Sequence, residues 1–156
     1  MANARGGTDV PGISEGTALD VLRERIETYL EHGIGAWTSD GEGDYQVSCD
    51  SARVFICPRS WSEDRTIVRI FSITNVGLPS HPALTEWLTR ANFRLTFGHF
   101  AYDEAAQSVW FIHNLLGDFL DEAELVTAVQ MVATQANDHD DVIRAKFGGR
   151  LFTESS

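Results

Sequence analysis

The sequence lacks most of the patterns that mark a catalyst. It has no Cys-x-x-Cys and no Gly-x-Gly-x-x-Gly, which excludes a redox dithiol and a dinucleotide-binding loop, and its one Gly-x-Ser-x-Gly, Gly12 to Gly16, follows no apolar strand-like run of the kind a nucleophile elbow needs. No apolar run approaches the roughly 20 residues needed to span a bilayer. The N-terminal stretch from Met1 to Val10 has no apolar segment of the secretory kind. Positive charge is scarce: 12 basic residues face 23 acidic ones, for a net charge of −11. Such a field repels a phosphate backbone and an anionic membrane surface, so neither nucleic acid nor membrane insertion is expected. It is compatible with a cytoplasmic holder of basic or apolar peptides.

Cysteine is also scarce, with only Cys49 and Cys57. Both fall in strand-like runs joined by a tight turn near Asp50–Arg53. Partners in that hairpin sum to about 103 by ordinary antiparallel pairing, which sets Cys49 beside Val54 and Cys57 beside Gln46. A disulfide between them is not expected, and two buried, reduced thiols of a cytosolic domain are. Two cysteines with no neighbouring histidine are too few ligands for zinc.

What is present describes one folded domain. Apolar residues make up 43% of 156 residues and charged ones 22%, enough to build a single modest core. The Gly-, Ala- and Thr-rich residues 1–16 read as a disordered tail. Leu19, Leu22, Ile26, Tyr29 and Leu30 then repeat at helical spacing from Thr17, a plausible cap, to Gly33. Trp37 to Asp44 reads as a linker. Three strands follow: Tyr45–Cys49 with period two, Arg53–Cys57, which Pro58 either stops or joins at a place where no ladder N–H is needed, and the β-branched run Thr66–Thr74. Trp61 to Arg65 reads as a polar turn. Pro82 opens a second helix, with Ser80 or His81 as cap and Leu84, Trp87, Leu88 and Ala91 on its apolar face to about Arg94.

The organising stretch is residues 91–117. Two apolar-aromatic runs, Leu95 to Tyr102 and Val109 to Leu116, flank the polar residues Asp103 to Ser108, which is a strand, a turn and a strand. Asp121 with Glu124 resembles a capping box for a third helix, whose stripe is Leu125, Val129, Val132 and Ala136. That helix continues to about Lys146 and ends at Gly148-Gly149. Leu151 and Phe152 tuck back, and residues 153–156 form a loose tail. The fold class is α+β: a single domain over residues 17–152 in the order helix, three strands, helix, two strands, helix. Runs of adjacent strands imply a twisted antiparallel sheet with helices packed on one face.

Candidate chemistry is thin. His99 and His113 face each other if the hairpin turn holds five residues, and point to opposite faces if it holds four. No third metal ligand accompanies them, so no metal, cofactor or catalytic residue is expected. Asp138-His139-Asp140-Asp141 lacks the glycine turn and terminal Glu of a calcium loop and reads as a solvated helix face. Arg53, Arg59, Arg65 and Arg69 read as solvated strand positions, with a local positive patch on the outer sheet face as the alternative. Aromatics on both faces of the central hairpin point to a contact surface, with Trp87, Phe100, Tyr102 and Trp110 as its candidate residues.

From about Thr66 to Phe152 the chain resembles the YbjN-like family, within the broader fold of type III secretion chaperones. The matching landmarks are the strand Ile67–Ile73, Gly77-Leu-Pro79, Leu88-Thr-Arg-Ala-Asn92, Phe97-Gly98, the turn at Asp103, Asp121-Glu-Ala-Glu-Leu125 and Phe147-Gly-Gly149. Residues 17–65 agree in element order alone. The resemblance implies a non-enzymatic, dimeric, peptide- or protein-binding module, and actinobacterial members are proposed to be peptide-binding chaperones. It supplies no catalytic residue. The expected function is a cytoplasmic chaperone-like or adaptor domain acting as a homodimer on a peptide or protein client. The alternative is a stable structural or regulatory subunit of a larger assembly.

Overall fold

The computed structural model describes residues 17–155; the tail expected over residues 1–16 lies outside the described residues. Helix α1 (Ala18–Gly33) buries Leu22, Ile26 and Leu30 on one stripe. Thr17 caps it through a reciprocal pair: its hydroxyl accepts from the Asp20 N–H, and the Asp20 carboxylate accepts from the Thr17 N–H. Strands β1 (Thr38–Ser39), β2 (Tyr45–Cys49), β3 (Ala52–Ser62) and β4 (Arg65–Val76) follow. Helix α2 (Pro82–Arg94) starts behind His81, whose Nδ1 accepts from the Ala83 N–H. Strands β5 (His99–Asp103) and β6 (Ser108–Leu116) form the central hairpin. Helix α3 (Glu122–Phe147) is capped by Asp121, which accepts from the Glu124 N–H. Strand β7 (Arg150–Leu151) and a 3₁₀ turn (Phe152–Ser155) close the described chain.

The expected α+β order is therefore present, with the two-residue strands β1 and β7 added. Strand order is β1-β2-β3-β4-β6-β5, with β7 beside β4, and every pairing is antiparallel. The core lies between one sheet face and helices α1 and α3. Val47, Val54, Ile56, Val68, Ile70 and Phe111 meet Ile26, Leu30, Leu125, Val129, Val132 and Ile143 there, all at most 2% exposed. Burying side chains of this size contributes about 1.5–3 kcal/mol each before conformational entropy is counted.

Several expectations are corrected. Of the two readings of Pro58 the second holds: β3 runs through it to Ser62, beyond the expected end at Cys57, and the turn shrinks to Glu63 and Asp64. Pro58 pairs with Val68, while β2 accompanies β3 only to Ile56, so one side of Pro58 has no neighbouring strand to receive an N–H. The first hairpin turns at Asp50–Ser51, and Cys49 therefore pairs with Ala52 instead of lying beside Val54. Asp50 accommodates this at φ +51°, a conformation that Asp tolerates. Cys49 and Cys57 are free thiols, Cys57 buried and Cys49 half-buried.

Strand β5 begins only at His99. Leu95 to Gly98 instead form a connection in which Gly98 takes φ +73°. Asp140, expected on a solvated face, is 3% exposed and receives a hydrogen bond from the Ser51 hydroxyl at 2.6 Å. The tail expected to be loose is described as far as Ser155. It is held there by Leu151 N–H to the Glu154 carboxylate and by the Thr153 hydroxyl to Ser51 O.

Candidate functional site

Period-two alternation decides what the outer sheet face carries. Val54, Ile56, Val68 and Ile70 turn inward, so Phe55, Phe71 and Ile73 turn outward. Register then lines the outward set up across strands: Phe55 opposite Phe71, Phe71 opposite Ile112, and Ile73 opposite Trp110. The result is a row of stacked rings. Phe55 and Phe71 lie 5.1 Å apart at 20°, and Phe71 and Trp110 lie 4.8 Å apart at 28°. Phe152 from the terminal turn meets Phe55 edge-on at 6.1 Å. All three spacings fall in the range where aromatic pairs add stability beyond area alone. Trp110 satisfies its indole N–H locally, on Ser108 Oγ at 2.8 Å, so its ring is held without a polar demand on an incoming partner.

Two guanidinium groups border this row, Arg53 at 5.8 Å from the Phe152 ring and Arg69 at 6.0 Å from Phe71. The four arginines are thus divided. Arg59 pairs with Asp44, and Arg65 lies 3.3 Å from Asp118. Phe55, Phe71 and Trp110 remain half-buried, and Leu116 at the end of the same face is 51% exposed. All three helices contribute their buried residues to the opposite, inner side, so among the described residues no helix covers this row.

The four residues expected to form a contact surface are not brought together. Trp110 stands in the outer row. Phe100 is corrected to a core residue: it is 3% exposed and packed against Phe111 at 4.9 Å and His139 at 5.1 Å. Tyr102 shares that inner face and donates its hydroxyl to Leu78 O at 2.6 Å. Trp87 packs from α2 against Phe100 and Phe147, each at 6.1 Å. Sequence reading missed Phe55, Phe71 and Phe152. Their outward phase was visible in the alternation, but their stacking depends on register between strands.

The histidine pair is resolved by the turn, in which Glu104 to Gln107 connect Asp103 and Ser108. His99 pairs with Ile112, which places His113 on the other face. Burial pushes the His113 imidazole below its ordinary pKa, and Phe97 lies edge-on to it at 6.0 Å. Together with Leu115 and Met131 they line a hollow of about 460 Å³ between β6 and α3. Among the described residues no group of three or more His, Cys, Asp or Glu is placed to hold a metal ion. Burial, and then the adjacent Asp44 carboxylate, push the Cys57 thiol up to about 12, so it is a poor nucleophile at neutral pH.

Comparison with known proteins agrees with this architecture. A family model described as T3SS (YopN, CesT) and YbjN peptide-binding chaperone 1 matches residues 20–155. The fold is similar to that of the Yersinia pestis type III secretion chaperone SycH, solved in complex with a stable fragment of YscM2. That match has a TM-score of 0.55 and 15% identity over 75% of this chain and 98% of that one. It is also similar to a chain of the ExsC–ExsE complex, with a TM-score of 0.50 and 16% identity over 82% of this chain and 93% of that one. At these identities the likeness is one of fold. No curated protein sequence matches the chain.

Proposed function

Because this chain belongs to the family of T3SS and YbjN peptide-binding chaperones, we propose that it is a non-enzymatic chaperone-like or adaptor domain that holds an apolar segment of a client protein on its outer sheet face. The observation that carries this reading is the Phe55–Phe71–Trp110 row, stacked and left open on the side away from the helices. Aromatic rings fixed by stacking offer large contact area at little further loss of conformational freedom, which is the profile of an interface anchor. A monomer that exposes such a row gains by covering it. SycH, solved with a fragment of another protein, is a precedent for client holding on this fold.

The domain is proposed to work as a homodimer in the cytoplasm, where reduced Cys49 and Cys57 persist. The self-association surface is proposed at the open edge of β5 together with the end of α2 and the connection that lead into it, where Phe93 is 92% exposed and Phe97 60% exposed. Light scattering tests it: the wild type should have the mass of two chains, and Phe93→Glu with Phe97→Glu the mass of one.

The client reading is tested by capture from the native host, comparing wild type with Phe71→Ser and Trp110→Ser, both first shown to be folded by circular dichroism. Loss of several exchanging, substoichiometric clients in the variants supports it. Capture unchanged by either variant sinks it. A single stoichiometric, non-exchanging partner would make the domain a permanent subunit instead.

A further inference from the structure

Three adjoining hollows of about 330, 330 and 300 Å³ run between α2 and the C-terminal half of α3. The first two share Ala83, Lys146 and Phe147, and the last two share Trp87 and Arg90, so together they make one trough. Trp87 and Phe147 form its apolar floor, with ring centroids 6.1 Å apart. Arg90 and Arg94 line it from α2, and Lys146, the chain's single lysine, lines it from α3. Three of the 12 cations of a chain with net charge −11 therefore converge on one trough. Glu86 is its acidic member and pairs with Arg90. Arg94 and Lys146 have no carboxylate partner among the described residues. Each complements the C-terminal end of its own helix, but that does not account for their meeting over a shared aromatic floor.

We infer that this trough docks an acidic, extended polypeptide segment carrying an apolar residue for the Trp87–Phe147 floor. The charge argues for this occupant. A positive trough within an acidic surface focuses field on an anionic chain that the rest of the molecule repels. The same overall charge disfavours a nucleic acid, whose long phosphate backbone could not stay within the trough. The 13 residues of α2 give the trough a length of about 20 Å, enough for about six residues of extended chain. The trough lies on the helix side of the sheet, away from the aromatic row, so the two surfaces can be tested separately.

The test is fluorescence anisotropy on the full chain with a labelled synthetic peptide alternating Glu with Leu. Its Gln-for-Glu and Lys-for-Glu counterparts and polyuridylate serve as competitors. The triple variant Arg90→Gln/Arg94→Gln/Lys146→Gln removes the charge at exposed positions, and Lys146→Gln alone is the milder variant. Wild type should bind the Glu peptide in preference to all three competitors. Binding should weaken about tenfold in the triple variant, as expected for three exposed ion pairs lost together, and fall as salt is raised. Trp110→Ser should bind it as wild type does, which separates failure here from failure of the sheet-face reading. Equal affinity for the Gln peptide, unchanged binding by the triple variant, preference for polyuridylate or no peptide binding would each overturn the inference.

Discussion

Cys57 and His113 are the side chains whose surroundings alter their chemistry in a way that solution experiments can read. Burial and the Asp44 carboxylate both oppose ionisation of Cys57. A thiol reagent such as DTNB should therefore modify half-buried Cys49 first and reach Cys57 only as urea unfolds the chain; rapid native labelling of both would contradict the packing. For His113 burial lowers the folded-state pKa, with Glu124 pulling the other way and His99 adding to the lowering. The unfolded chain takes up this proton near its ordinary value of about 6.5, where the folded chain still resists it. Stability therefore falls as pH drops through that window, and the loss levels off below the folded value. His113→Gln should lose this component. The difference between its urea midpoints at roughly pH 7.5 and 5.5 should be smaller than that of the wild type, and an equal difference would remove His113 as the cause.

At the scale of elements, the junction of α2 with β5 rests on two residues. The Asn92 side chain accepts from the Phe100 N–H at 2.6 Å and donates to the Phe100 carbonyl at 2.9 Å, so it acts as a strand partner for the open edge of β5. Gly98 takes φ +73°, and a Cβ there would meet the Phe111 ring at 2.7 Å. Asn92→Ala should destabilise the fold by about 1–3 kcal/mol through the two backbone groups it leaves unpaired. Gly98→Ala should do so at least as strongly, because strain and overlap add; urea titration of each variant measures both. Asn92 and Gly98 were legible in the sequence as landmarks, but not the reason for them, which is a contact between a helix end and a strand. Strand β3 teaches the same lesson: Pro58 reads locally either as a stop or as a position that needs no ladder N–H, and the end of β2 at Ile56 decides for the second.

At the scale of the whole molecule, a polar cluster joins elements far apart in sequence. The Ser51 hydroxyl lies 2.6 Å from Asp140 Oδ2 and 2.8 Å from Asn137 Oδ1. Asn137 donates to Cys49 O, Asn75 donates to Asp140 O at 2.8 Å, and Thr153 donates to Ser51 O. The first hairpin turn, β4, α3 and the terminal turn are thus tied together in one place. Asp140→Ala and Ser51→Ala should each destabilise by about 1–3 kcal/mol. Together they should fall short of additivity by about 0.5 kcal/mol or more, the mark of a shared network. Strict additivity in urea unfolding would show that the two side chains act independently.

The sequence by itself determined the three helices and the five longer strands in their order, though not the bounds of β3 and β5, and through its resemblance the family. Those depend on spacing within a helix or strand and on the Thr17, His81 and Asp121 caps, all of which act over a few residues. Tertiary structure alone decided which aromatics stack, that Phe100 is core, that Asp140 is buried, and that Arg90, Arg94 and Lys146 meet in one trough. The physical reason is that a strand has a period of two, so a one-residue change in a turn exchanges the faces of every residue beyond it. Contacts between distant elements follow from that register and cannot be read from either element alone.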